Sequence, residues 1–259
     1  MRSVRIAELL APFLRPSGVE TNSCHSSSAR SGGEELAFLS PALLQDISTY
    51  VDLLLHWNAR INLTAIRDPE QIVTRHFGES FFAARHLFTA TGDAVPADPA
   101  CPGQRGSPAS RRSPLAPAVR LADLGSGAGF PGIPIKLWSP QIALTLIESN
   151  HKKVVFLREI ARALTLTDIN IFHGRAESLP AVSFDVATLR AVEHFHDALL
   201  TASRLIVPAG RLALLIGRDQ AERTYSTLPQ FAWRKPVPVP LSKSRVLLFG
   251  EQELDPQRR

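Results

Sequence analysis

The chain has 259 residues, 44% of them hydrophobic, enough to bury a sizeable core in one large domain or two small ones. Its apolar runs, such as Leu212 to Ile216, fall far short of the roughly 20 residues a membrane span needs, and Ile6 to Leu14 contains Glu8 and Pro12 with no small-residue cleavage site following, which argues against a secretory leader. A net charge of +5 suits a polyanionic partner but serves solubility equally well, and the cysteines Cys24 and Cys101 sit in Ser/Gly/Pro-rich segments without metal-binding spacing, so no metal is expected and a reducing, cytoplasmic setting fits.

Ile6 to Leu14 reads as an amphipathic helix. Residues 15–35 and 90–118 are poor in large apolar residues and rich in Pro, Ser and Gly, so neither can bury enough to offset the entropy of ordering. Between them, Ser40-Pro41 supplies an N-cap and a first-turn proline. Leu43, Leu44, Ile47, Tyr50, Val51, Leu54 and Leu55 then recur at helical period. Asp68-Pro69-Glu70-Gln71 is a variant capping box opening a second helix, which carries Ile72, Val73, Phe77, Phe81, Ala84, Leu87 and Phe88 on one face and runs to about residue 89.

Beyond residue 118 the pattern alternates. Strands are expected at Val119–Leu124, Ile142–Ile147, Ile169–Phe172, Phe184–Leu189 and Arg211–Ile216, with helices at Ile133–Trp138, Ser149–Leu164 and His194–Leu205. Such alternation implies a parallel sheet covered on both faces. Phe231 to Gly250, with Pro236, Pro238 and Pro240, reads as two edge strands around the turn Leu241-Ser242-Lys243. The expected organisation is an N-terminal helical region, 1–92, with a 15–35 insertion; a Pro/Ser/Gly-rich insertion, 93–118; an α/β domain, 119–250; and a tail, 251–259.

The first strand runs into LADLGSGAGFPGIPIKLW. Gly125, Gly127 and Gly129 there let backbone approach a ligand, and the helix that follows favours negative charge at its N-terminus. A dinucleotide fingerprint would need glycine at position 130, which is Phe130, so the spacing counts against NAD. Asp123 precedes the loop, and Glu148 ends the next strand, where an acid can accept hydrogen bonds from ribose hydroxyls. A glycine turn alone can be a tight connection, and an acid after a strand can be a cap. The ordered combination, followed by Pro208-Ala209-Gly210-Arg211-Leu212 leading into a fifth strand, is that of a Rossmann-like methyltransferase.

The segments LLLHWNARINLTAIRDPEQIVTRHFGES (53–80), DLGSGAGFPGIPIKL (123–137), IESNHKKVVFLREI (147–160), RAESLP (175–180) and LRAV (189–192) resemble the RsmG family, once called glucose-inhibited division protein B. The resemblance covers roughly residues 38–92 and 119–250. It implies a class I methyltransferase fold, with a mostly parallel seven-stranded sheet ending in an antiparallel hairpin after an N-terminal helical extension. It also implies S-adenosyl-L-methionine as cofactor and methylation of N7 of a guanine in the 530 loop of 16S ribosomal RNA, presented as free RNA, 30S subunit or assembly intermediate to a monomeric enzyme. Carried over, Gly125 and Phe130 line the cofactor pocket, Gly127 and Gly129 form the turn, Ala176 and Glu177 flank the adenine, and Arg190 sits at the reactive end.

Guanine N7 carries a lone pair and needs no general base, which agrees with a sequence offering no catalytic triad and no paired carboxylates. Arg60, Asn62, Thr64, Arg67, Arg75 and His76 from the helical part, and Lys235, Lys243 and Arg245 near the hairpin, are candidate RNA contacts; a solvated basic face is the alternative for each. His76, His173 and His194 are most simply read as packing or capping residues. Lys152, Lys153, Arg158 and Arg162 read as solvated. Two other classes stay open: a small-molecule or protein methyltransferase on the same scaffold, and a nonenzymatic RNA-binding module.

Overall fold

A computed structural model of the chain describes residues 1–15, 39–88, 118–192 and 194–252. The low-complexity insertions expected at 15–35 and 93–118 lie outside these residues but for Arg15 and Ala118, as does the tail beyond Gln252.

Helix α1, Ser3–Leu14, buries Ile6, Leu10, Phe13 and Leu14. Helix α2, Pro41–Asn58, starts as its sequence dictates: the Ser40 hydroxyl accepts from the Leu43 N–H, and Pro41 fills the first turn, where no intrahelical donor is needed. The Asp68 carboxylate accepts from the Gln71 N–H at the start of α3, Pro69–Gln71. The single regular helix expected from there to residue 89 is in fact α3, a π-helical stretch Ile72–Gly78, and α4, Glu79–Leu87. π-helical turns are rare and concentrate at functional sites. Here they carry Arg75 and His76, and Gly78 lies under the Phe13 ring, which a Cβ would approach to 2.5 Å.

The sheet consists of β1 (Arg120–Leu124), β2 (Ala143–Glu148), β3 (Ile169–His173), β4 (Phe184–Arg190), β5 (Ile206–Gly217), β6 (Phe231–Trp233), β7 (Val237–Pro238) and β8 (Arg245–Gln252). Its order is β3-β2-β1-β4-β5-β8-β6, with β7 also paired to β8. The first five strands run parallel, and β8 is antiparallel to β5, β6 and β7. Helices α5 (Gly132–Trp138) and α6 (His151–Ala163) share one core with the N-terminal helices, in which Tyr50, Phe77 and Phe81 join Ile133 and Phe156. Helices α7 (Phe195–Leu205) and α8 (Arg218–Thr227) cover the opposite core. The N-terminal helical region is therefore built into the sheet domain through a common core.

Three expectations need correction. The long C-terminal strand is not an edge: β8 pairs with β5 over Arg245–Glu251 and carries β6 and β7 on its other side. The edge on that side is formed by β6 and β7, and the strand proline, Pro238, sits in β7, where an edge tolerates a residue that cannot donate to a ladder. Strand β8 also runs past residue 250 to Gln252, and β5 starts at Ile206. Helix α8 has no apolar periodicity to reveal it, burying only Ala221 and Thr224. Among the described residues no helix is long and apolar enough to cross a membrane.

Candidate active site

The order of the sheet reverses between β1 and β4, and open α/β sheets bind ligands at the carboxyl ends of the strands at such a switch point. The glycine loop leaves β1 there. Gly127, at φ +56°, faces open space: a Cβ there would meet only the Gly125 carbonyl oxygen, at 3.7 Å. Gly129, at φ +86°, is closed off behind the loop, where a Cβ would collide with the Tyr50 hydroxyl and Ile133. Gly127 therefore offers backbone to a ligand, and Gly129 lets the helical region grip the loop.

That grip is specific. The Tyr50 hydroxyl donates to the Ala128 carbonyl at 2.5 Å, and the Tyr50 ring stacks on Phe130 with centroids 5.2 Å apart. The His76 ring also stacks on Phe130, with centroids 4.6 Å apart. From beneath, the fully buried Asp123 accepts from the Thr188 hydroxyl at 2.9 Å and from the Gly132 N–H at 3.2 Å. Burial raises its carboxyl to about 7, against the opposing pull of these hydrogen bonds. Glu148 Oε2 accepts from the Gly127 N–H at 2.9 Å, and its Oε1 from the Asn150 N–H at 2.8 Å.

In front of the loop lies a cleft of ≈ 590 Å³. Its walls are the loop, the ends of β4 and β5, and residues Leu63–Ile66, Arg75 and His76 from the helical part. Four cations line it, Arg75, Lys153, Arg190 and Arg245, and no carboxylate among the described residues does so. Lys153, expected to be solvated on its helix, thus belongs to the site.

Arg190 Nη2 donates to the Arg75 carbonyl at 2.6 Å and to Glu79 Oε2 at 3.1 Å, whereas its buried Nη1 has no partner. Glu79 is 3% exposed and also takes Arg245 Nη1, at 2.6 Å from Oε2 and 2.9 Å from Oε1. Burial pushes the Glu79 carboxyl up and the Arg190 guanidinium down, so desolvation outweighs pairing on both sides. One buried acid thus joins α4 to the ends of β4 and β8. His76 is held neutral: burial, then the charges of Arg190 and Arg75, lower it to about 3.

The structure brings together Gly125, Gly127, Phe130, Arg190, Thr64, Arg75, His76 and Arg245. Gly129 and Glu148 support the loop without lining the cleft. Ala176 and Glu177 lie in a 3-10 turn, Ala176–Ser178, after β3, where Arg204 donates to both of their carbonyls. Arg60, Asn62 and Arg67 are exposed between α2 and α3, and Lys235 is exposed between β6 and β7. Lys243 borders a second cavity of ≈ 330 Å³ that shares Arg75 with the cleft. His173 packs 5.5 Å from His151, and His194 precedes α7 at φ 52°. Sequence reasoning missed Glu79 and the Tyr50 hydroxyl. The one available signal was a polar group in an otherwise apolar helical window.

Strand order, a ligand-facing glycine loop after β1 and an acid ending β2 define a class I methyltransferase with a Rossmann-like sheet. A profile of the family described as rRNA small subunit methyltransferase G, GidB, matches residues 43–94 and 112–237. The chain is 30% identical to ribosomal RNA small subunit methyltransferase G of Xylella fastidiosa strain 9a5c, over 86% of this chain and 90% of that one. To its namesake in Xanthomonas oryzae pv. oryzae it is 34% identical over 74% and 77% of the two chains. Among solved structures, a SAM-dependent methyltransferase from Aquifex aeolicus is similar at TM-score 0.43 and 18% identity, over 51% of this chain and 81% of that one. The chain belongs to the rRNA small subunit methyltransferase G family.

Proposed function

We propose that this protein methylates N7 of a guanine in the 530 loop of 16S ribosomal RNA with S-adenosyl-L-methionine as donor, acting as a monomer in the cytoplasm on RNA or on a small-subunit particle. The observation that carries this reading is the composition of the cleft: four cations and no carboxylate among its described lining residues. A cationic wall suits a phosphate-bearing substrate, and a wall without a carboxylate suits a nucleophile with no proton to lose. Family membership supplies the small-subunit RNA.

The residues present fit the donor. Gly127 leaves room in front of the loop, Glu148 ends β2 beside it, and Arg190 keeps an unpaired buried donor. When bound, S-adenosylmethionine supplies an electrophilic methyl group. Gly125, Gly127 and Phe130 seat it, Glu148 accepts from its ribose, Ala176 and Glu177 flank its adenine, and Arg190 takes its carboxylate. Arg75 and Arg245 at the cleft, with Lys243 beyond it and Arg60, Asn62 and Arg67 on the neighbouring loop, meet the RNA backbone. Asp123 is buried under the loop with both oxygens engaged, so it takes no proton from the base. Catalysis then rests on holding N7 in line with the methyl group, a proximity effect worth several kcal/mol or more.

The test is borohydride and aniline cleavage of 16S RNA from cells with and without the gene. A strand break at one 530-loop guanine that depends on the gene supports the reading. Identical cleavage patterns, or transfer of labelled methyl by the purified protein to metabolites and not to ribosomal particles, would refute it.

A further inference from the structure

Among the described residues, three buried side-chain polar atoms lack a hydrogen-bond partner, and two of them, His76 Nδ1 and Arg190 Nη1, belong to residues lining the same cleft. Buried polar groups are nearly always paired, so this coincidence marks where a ligand supplies the missing acceptors. The two residues line one cleft, and Arg190 Nη2 donates at 2.6 Å to the carbonyl of Arg75, the residue before His76.

The protonation of His76 follows from its partners. Thr64 Oγ1 accepts from the Ile66 N–H at 3.1 Å and lies 2.9 Å from His76 Nε2. Thr64 Oγ1, which already accepts from Ile66, is assigned as the donor to Nε2, because this gives its hydroxyl proton an acceptor inside the protein. With Thr64 donating to Nε2, the neutral imidazole carries its one ring proton on Nδ1, the atom without a partner.

We propose that His76 selects the base: its Nδ1–H donates to the O6 carbonyl of the target guanine. The inference rests on the reading above that guanine N7 accepts the methyl group. Strand β4 neighbours β1 on the side opposite β2, so a ligand whose sugar lies at Glu148 and which crosses the loop has its far end beside Arg190 and His76. O6 and N7 share one edge of guanine, and arginine grips both at once, which would occupy the nucleophile. A single neutral donor fixes O6 and leaves the N7 lone pair free. Adenine carries an amino group in place of O6 and would set donor against donor, leaving two buried groups unpaired.

His76→Phe keeps an aromatic ring on Phe130 and removes the donor; His76→Asn returns an amide N–H near the Nδ1 position. On small-subunit particles from cells lacking the enzyme, His76→Phe should lose roughly 10- to 100-fold in kcat/KM, and His76→Asn should recover part of it, with calorimetric affinity for S-adenosylmethionine within about twofold of wild type. Placing 2-aminopurine, which lacks O6, at the mapped guanine should cost the wild type a similar factor and His76→Phe almost nothing more. Losses that multiply, a His76→Phe enzyme of wild-type rate, or cofactor affinity falling in step with rate would each overturn the inference. Thr64→Val frees the ring to change tautomer and should lose a few-fold with the same base dependence; unchanged activity would overturn the proton assignment even where His76→Phe does not fold. A wild type that methylates guanine normally beside an unaffected His76→Phe refutes only this inference, whereas a wild type that places no N7 methyl group refutes the functional reading with it.

Discussion

Asp123→Asn tests the electrostatics beneath the cofactor loop. The Asp123 carboxyl has a pKa of about 7 in the native state, against an ordinary 3.8, because it is fully buried. Between those values the unfolded chain has already lost the proton that the native state still holds, so native stability falls as pH rises from about 4 to about 7. At about 1.36 kcal/mol per pH unit, the interval from 3.8 to about 7 amounts to roughly 4 kcal/mol. Asparagine can keep the geometry: its Oδ1 accepts from the Gly132 N–H, and its amide donates to Thr188 Oγ1, whose proton turns to the Ala122 carbonyl at 3.3 Å. Urea unfolding of both proteins from pH 5 to pH 8 should show the wild type losing about 2–3 kcal/mol more than the variant over that range. Titrations common to both chains cancel in the difference. Parallel stability curves would mean that the native carboxyl titrates at its ordinary value and that burial is not the dominant influence on it.

Gly127→Arg places a side chain in the open space before the loop at φ +56°, so calorimetry should find S-adenosylmethionine binding abolished in a protein that still folds cooperatively. Unchanged affinity would remove the loop from the cofactor site. Glu79→Gln leaves Arg190, 8% exposed, without its counter-charge, and should cost about 3 kcal/mol, read as a melting temperature lower by roughly 6–12 °C; a loss under about 1 kcal/mol would show the cluster to be solvated. Arg75→Ala should weaken RNA binding and reduce the salt slope by about one while sparing cofactor affinity, and an unchanged slope would place Arg75 off the phosphate backbone.

The sequence by itself determined whatever depends on neighbours along the chain. Ser40 and Asp68 cap the helices they were expected to cap, because the side-chain oxygen and the N–H it accepts from are three residues apart. The glycine loop and its acids were legible for the same reason: strand, turn and helix N-terminus are consecutive. The tertiary structure alone decided matters between distant residues. Edge strands and interior strands differ in what pairs on their second side, so β8 entered between β5 and β6 although only proline placement could be read. The π-helical turns that present Arg75 and His76 have no periodic signature, and their regular-helix reading was wrong. Glu79 became a binding partner of Arg190 and Arg245 only through folding, across sequence separations of 111 and 166 residues. Nor could the chain tell which histidine would be left with an unpaired ring nitrogen. That required knowing that Phe130, Thr64 and Arg190 converge on His76, which is a property of packed helices and sheet and of no local pattern.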